Sequence, residues 1–356
     1  MSRCRVAVVG GAGFWGAYYL RAYSRHPRCE LVALVDTARD RRTAIAQSLS
    51  IPAVYDTVHD LLDDQVPDIL TLSLPVAATH DAVVAAASSG VRTISCEKPI
   101  AVSLAKADEM VAVCRDRNIP LVCGTALWEV KCLNRIAAWV AEGHIGTIQS
   151  TSIPAGLPQW VSGNGCVPLN WLRFATGMEA EWVEDGRTWP ALAADTEDDC
   201  GASGTIGLSG GVTCEIPTPA KGDPTVSGVH IQGSQGSVRV TGPAPQFFVG
   251  SGDKAQPVVP SFLHDHEASH EEWLFSDVVE SIFGSCETGG EAKCSGHDYR
   301  QVLEIALALK LSAREGGRRV ELPLADRHLI LNPAPWRLLG GDVAGWIPGL
   351  EPPETG

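Results

Sequence analysis

Lys98 stands in the tetrapeptide Cys96-Glu97-Lys98-Pro99, directly after a mainly apolar run at 91–96 that reads as the end of a buried strand. An amine beside a carboxylate at such a place exchanges a proton near neutral pH when burial lowers its pKa. Only 7 of the 28 basic residues are lysines, so this one is not drawn from a lysine-rich surface. Taken alone, Glu-Lys-Pro still reads as a surface turn with a neighbouring ion pair. A second group with chemical meaning is G-x-G-x-x-G at Gly11, Gly13 and Gly16, with Ala12, Phe14 and Trp15 between. Here Gly11 is expected to permit the tight turn and Gly13 to let the backbone approach a pyrophosphate. Gly16 is expected to let the following helix pack closely on its strand. Asp36 follows twenty residues after Gly16, with Thr37 beside it, where a carboxylate accepts hydrogen bonds from an adenosine ribose.

The surrounding pattern supplies the elements that would hold these groups. A strand over 3–10 precedes the glycines and a helical stretch follows them, and a second strand at 30–36 ends in the acid. Helices and short apolar runs then alternate up to Gly124. Such alternation predicts a doubly wound parallel sheet, a Rossmann-type α/β fold, with ligands beyond the carboxyl ends of its strands. Ser73-Leu74-Pro75 and Glu97-Lys98-Pro99 both fall at such ends and are predicted to face the cofactor. The charge of Asp36 favours NAD, while Arg39, Arg41 and Arg42 are close enough in sequence to neutralise a 2'-phosphate, which keeps NADP open.

Bulk properties narrow the functional classes. A chain of 356 residues exceeds one core, and 45% hydrophobic residues supply two. The net charge of -14 opposes nucleic acid and anionic lipid as partners. Eleven cysteines are scattered with no C-x-x-C pair, which argues against a zinc site or a redox dithiol and for small apolar fillers in a reducing compartment. His264, His266 and His270 form H-x-H-x-x-x-H without a matched carboxylate set, so no metal is expected. With no signal-peptide layout and no long uncharged apolar stretch, a soluble cytoplasmic protein is expected.

Taken in order, several segments resemble the Gfo/Idh/MocA family of oxidoreductases (glucose-fructose oxidoreductase, inositol dehydrogenase, rhizopine catabolism protein). They are VAVVGGAGFWG, the acid closing ELVALVD, SLPVAATHDAVVAAASSGV, SCEKPIAVSLAKADEMV, AEGHIGTIQS, VHIQGSQGSVRV and YRQVLEIALALKLSAREGGRRVELP. The resemblance covers roughly residues 3–323. It implies a Rossmann domain (1–124), then an α/β substrate domain with an open, mostly antiparallel sheet (125–323), leaving a Pro/Gly-rich extension (324–356). It further implies hydride transfer between NAD(P) and a secondary alcohol or ketone carbon of a small molecule, and a homodimer or homotetramer formed through the second sheet. Lys98 is then the expected proton donor or acceptor, aimed by a cis Lys98-Pro99 bond, and His80 matches a position near the nicotinamide end.

Two departures stand out. The resemblance leads us to expect a histidine acting as acid/base in a D-x-x-x-H-x-x-D-type segment, but anchoring on 171–177 puts Gly163, Val167 and Asn170 there, and no histidine lies between His144 and His230. Asn170 and Arg173 are therefore the expected polar groups on that side. After Gly124 the chain offers Leu127 and Trp128, which makes the predicted pocket more aromatic, with Trp128 either stacking on substrate or filling the core. An imine or conjugated-alkene reductase, and a dinucleotide-binding sensor without catalysis, remain as alternatives.

Overall fold

The computed structural model describes residues 3–124, 130–220, 228–240, 245–263, 271–290 and 294–339. Its first sheet holds β1 (Cys4–Val9), β2 (Cys29–Val35), β3 (Ala53–Tyr55), β4 (Ile69–Leu72), β5 (Thr93–Glu97) and β6 (Leu121–Gly124). All pairs are parallel, in the order β3-β2-β1-β4-β5-β6. The four residues of β4 are all buried, as a strand covered on both faces requires. The connecting helices are α1 (Phe14–Arg25), α2 (Arg39–Ser48), α3 (Val58–Asp64), α4 (Val76–Ser89) and α5 (Leu104–Asp116). Local chemistry starts several of them: Thr57 and Asp60 form a reciprocal capping box on α3, and Ser103 caps α5.

Helices α6 (Val130–Ala141) and α7 (Cys166–Thr176) begin the second half. Its sheet contains β7 (Ile148–Ser152), β8 (Ala180–Trp189), β9 (Gly201–Leu208), β10 (Val212–Ile216), β11 (Val229–Gly233), β12 (Gly236–Val240), β13 (Gln246–Val249), β14 (Gln256–Val258) and β15 (Val320–Glu321). The order is β14-β13-β12-β11-β7-β10-β9-β8-β15. The pair β7 and β10 is parallel and the other pairs are antiparallel, so the sheet is open and mostly antiparallel as expected. The run at 203–216 is a hairpin: Gly210 and Gly211 take φ of 78° and 77° between β9 and β10.

Helices α8 (Glu271–Thr288), α9 (Gly296–Arg314) and α10 (Pro335–Leu339) are the last helices of the described residues. Although α8 falls within the 125–323 segment, it packs on the first sheet's side of the molecule. Phe275 stacks on Tyr18 and Trp15, and Phe275, Val279, Ile282 and Phe283 share a core with Val6, Val8, Tyr19 and Tyr23. Fully burying two such phenylalanines contributes about 2 to 3 kcal/mol each, which ties the two halves together. None of the eleven cysteines forms a disulfide and ten are buried, in keeping with the apolar-filler reading.

Candidate active site

The glycine turn shows which glycine does what. Gly10, rather than Gly11, takes the left-handed conformation (φ 75°), and a Cβ there would lie 2.1 Å from the carbonyl oxygen of Ser73. Gly11 instead leaves room for Leu34 and Leu20, where an added Cβ would approach to 2.3 Å and 2.9 Å. At Gly16 a Cβ would meet the Gly10 oxygen at 2.1 Å, so α1 packs on the turn only because that residue is glycine. Gly13 differs, since its added Cβ would meet only the Gly10 oxygen, at 3.3 Å. It is also the N-cap of α1, with no side-chain cap and no acid in the first turn. Open space over helix-terminal N–H groups is what a pyrophosphate needs.

Asp36 completes this cradle. One carboxylate oxygen accepts from the Ala12 amide (2.9 Å) and the other from the Ala38 amide (2.8 Å), so the acid is fixed against the turn while Thr37 beside it is exposed. Arg42 is turned inward: its Nη1 donates to the carbonyl oxygens of Asp36 (2.5 Å) and Tyr55 (2.6 Å) and to the Asp56 carboxylate (2.6 Å). It is therefore spent on the ends of β2 and β3 and removed from the set that could meet a 2'-phosphate, while Arg41 is only partly buried. The residues present fit a dinucleotide, with the N-terminus of α1 for the phosphates and Asp36 for a ribose.

Ser73, Leu74 and Pro75 lie at the carboxyl end of β4, where the Ser73 amide donates to Val9 (2.8 Å) and Pro75 is the N-cap of α4. His80 is tied elsewhere than expected: Nδ1 lies 2.7 Å from Asp81 and Nε2 2.9 Å from Glu109 of α5. Both ring nitrogens are engaged by carboxylates of the protein, which makes His80 a clamp between α4 and α5.

At the end of β5, Glu97 and Lys98 point to different partners. The Tyr19 hydroxyl donates to Glu97 (2.8 Å), and Gly124 makes room for the pair, because a Cβ there would lie 2.3 Å from that hydroxyl. Burial raises the Glu97 pKa, opposed by the charge of Lys98 and the Tyr19 bond. Lys98 is 8% exposed and follows into a cis Lys98-Pro99 bond, as expected. Its Nζ donates to the Gly163 carbonyl at 3.4 Å, across from the second half of the chain. Burial holds the Lys98 pKa below its ordinary value, with the Arg337 guanidinium adding to that effect and Cys166, Glu97 and Cys123 opposing it. Such an amine is uncharged over more of the neutral range than a surface lysine.

The second half supplies the turn at 162–165 and α7. Gly163 accepts from both Lys98 and the Cys166 thiol, the latter at 2.8 Å. The residue of α7 that faces Lys98 is thus Cys166, one position before Val167, which is fully buried in the core. Burial pushes the Cys166 thiol up to about 11, so it stays protonated at neutral pH. Asn170, one helical turn beyond Cys166, is also fully buried; its amide donates to the Cys294 sulfur (3.3 Å), and its Oδ1 has no partner among the described residues. Arg173 is 5% exposed and bridges Glu179 (2.9 Å) and Asp298 (3.1 Å), tying α7 to the start of α9. That bidentate use explains why an arginine is buried there, and it corrects the expectation of a substrate-facing cation. Trp128 and the histidines at 264, 266 and 270 lie outside the described residues. Among the described residues no cluster of three or more His, Cys, Asp or Glu could hold a metal, and no helix is long and apolar enough to cross a membrane.

The sequence reading missed Gly10, Tyr19, Cys166 and Arg337. Arg337, on α10, donates to the Lys98 carbonyl oxygen at 3.3 Å from 239 residues away, and nothing local in the sequence marks it. The other three had a signal: a doubled glycine, a tyrosine one turn into α1, and a cysteine beside Val167, where the resemblance leads one to expect a histidine.

A parallel sheet of order 3-2-1-4-5-6, a glycine cradle at its first turn and an acid after its second strand define a dinucleotide-binding α/β protein. Residues 4–125 match the GFO_IDH_MocA model, described as an oxidoreductase family with an NAD-binding Rossmann fold. D-apiose dehydrogenase of Paraburkholderia graminis is 25% identical over 332 residues, covering 88% of each chain. Myo-inositol 2-dehydrogenase of Thermotoga maritima is 21% identical over 338 residues, covering 87% of this chain and 96% of that one. In fold, the chain is similar to levoglucosan dehydrogenase solved in complex with NADH, at TM-score 0.75 and 18% identity, over 91% of this chain and 100% of that one. Residues 4–125 belong to the Gfo/Idh/MocA oxidoreductase family, to whose dehydrogenases the chain is similar along most of its length, and the protein is an NAD(P)-dependent oxidoreductase.

Proposed function

We propose that this enzyme moves a hydride between NAD and the secondary carbinol or ketone carbon of a sugar- or cyclitol-like small molecule, with Lys98 exchanging the hydroxyl proton. The observation that carries the reading is the placement of Lys98: a buried amine with a lowered pKa at the carboxyl end of β5, where the two halves of the chain meet. NAD supplies the hydride acceptor when bound. In the oxidative direction the carbinol loses a hydride and its hydroxyl proton, and the uncharged Lys98 amine takes that proton; in reduction the ammonium returns it. Asn170, on the same face of α7 as Cys166, is the group proposed to meet a substrate hydroxyl through its unpartnered Oδ1.

That the relatives named above act on a pentose and a cyclitol supports the substrate class, and Asp36 supports NAD over NADP. No observation favours an imine or alkene reductase or an inactive sensor. Assembly as a homodimer or homotetramer through the outer face of the nine-stranded sheet belongs to the same reading. The deciding experiment is Lys98→Met assayed with NAD and a panel of aldoses, anhydrosugars and inositols. Turnover is expected to fall by at least about 100-fold while NADH binding persists. Unchanged turnover would remove Lys98 from the chemistry.

A further inference from the structure

The segment after β15 runs back across both halves of the molecule and reaches Lys98. Within 327–332 it is tied to the first half at two points: the Ala105 amide donates to Arg327 (2.7 Å), and the Leu331 amide donates to Val102 (2.8 Å). Arg327 also pairs with Asp108 of α5 (2.7 Å) and with Glu304 of α9. Asn332 is tied to the second half, donating to Glu197 (2.7 Å) and accepting from the Asp199 amide (2.8 Å). Five residues later, Arg337 sits on α10, which packs against α4.

Two routes lead from this strap to the same lysine. Directly, Arg337 Nη1 donates to the Lys98 carbonyl oxygen (3.3 Å). Indirectly, the strap fixes Asp199, whose carboxylate accepts from the Ser162 hydroxyl (2.6 Å) and amide (3.3 Å). Ser162 precedes Gly163, whose carbonyl receives the Lys98 amine. The main chain and the amine of Lys98 are thus both referenced to one C-terminal segment.

We propose that the strap is a working part of the active site, and that Arg337 is the positioning residue through which it fixes Lys98 and sets a guanidinium beside it. The inference rests on the proton-exchanging role of Lys98. Among the described residues, the titratable and charged groups facing Lys98 are Glu97 on its own strand, Cys123 on β6, Cys166 on α7 and Arg337 on α10. Both thiols are pushed up by burial and stay neutral at neutral pH, so Glu97 and Arg337 are the opposing charges. Glu97 favours the ammonium and is itself engaged by Tyr19, while the guanidinium opposes it. Loss of the guanidinium leaves Lys98 protonated up to a higher pH.

Binding of the two cofactor forms tests this without a known substrate. A protonated Lys98 disfavours the cationic ring of NAD+ and not the neutral ring of NADH. The ratio of their dissociation constants from pH 6 to 10 therefore reports the lysine, with effects on the shared phosphates divided out. Wild type is expected to show a step in that ratio, and Lys98→Met to lose it. In Arg337→Gln and Arg337→Met the step moves to higher pH by roughly half a unit or more, while Arg337→Lys stays near wild type. A wild-type step in the neutral variants, no step in wild type, or failure of both neutral variants to fold would each overturn the proposal. These outcomes are separate from the turnover of Lys98→Met, which tests the proton-exchange role itself.

Discussion

The two edges of the active site are built on different principles. The cofactor edge is made of backbone and steric exclusion: glycines that leave no room for a methyl group, and an acid whose two oxygens are fixed by the Ala12 and Ala38 amides. The proposed substrate edge rests on a few side chains on one carbonyl: Lys98 and Cys166 share Gly163, and Asn170 keeps an oxygen with no partner among the described residues. The first arrangement recognises a ligand common to a whole family, and it tolerates little change. The second rests on fewer contacts, so a residue there can be exchanged for one of different chemistry while the fold persists.

The largest expected effect breaks the cofactor edge. Gly16→Ala would put a Cβ 2.1 Å from the Gly10 oxygen and 2.6 Å from the Gly11 Cα, both backbone atoms that cannot swing away. We expect a loss of about 1 to 3 kcal/mol in denaturant unfolding together with loss of NADH binding. Gly13→Ala is the contrast, because its Cβ would meet a single atom at 3.3 Å. Stability should stay within about 1 kcal/mol of wild type, near the range of ordinary surface changes, while NADH affinity measured by fluorescence titration falls. Equal loss of stability in both variants would mean that the cradle serves packing alone.

A smaller effect sharpens cofactor choice. Asp36→Asn keeps one acceptor but turns an N–H₂ group toward a backbone amide, and it removes the charge that opposes a 2'-phosphate. The ratio of NADPH to NADH dissociation constants is expected to shift toward NADPH by about tenfold, equivalent to about 1.4 kcal/mol. Because Arg42 is committed to Asp36, Tyr55 and Asp56, a complete switch is not expected.

The same contrast explains what could be read from sequence. Cofactor-edge signals are local: a strand, a glycine spacing and an acid within 36 residues predicted the parallel sheet and the cradle. Even the error there was one residue, because in Gly10-Gly11 the pattern alone does not say which glycine takes positive φ, and contact with Ser73 of another strand decides it. Substrate-edge signals are non-local. Lys98 was legible, but its partners come from residues 163, 166 and 337, brought together only by the assembly of both sheets and the strap. Strand β8 escaped notice for a related reason: AEWVEDGRTW carries charges on its exposed positions and a glycine at 186 whose Cβ would lie 2.4 Å from the Leu309 oxygen of α9, so tertiary packing defines it. Arg173 and His80 had the right residue types at plausible positions, and nearby carboxylates had already claimed them.

The smallest effect tests whether the thiol at the substrate edge takes part in proton exchange or only fills space. Cys166 donates to the carbonyl that also receives Lys98, yet burial lifts its pKa from 9.0 to about 11, which keeps it un-ionised at neutral pH. Cys166→Ala should therefore change turnover at pH 7 by no more than a few-fold, far below the effect of removing a general acid or base. The consequence of the raised pKa lies on the alkaline side. An acid whose folded pKa exceeds its unfolded value stabilises the fold fully below the unfolded value, and that contribution is lost as pH rises between the two. From pH 9 to 11 the wild type should lose up to about 1.4 kcal/mol per pH unit that the alanine variant does not, seen as converging or crossing denaturant midpoints. Parallel midpoints over that range, together with a turnover loss of about 100-fold at neutral pH, would make the thiol a partner of Lys98 in proton transfer and move Cys166 from packing into the chemistry.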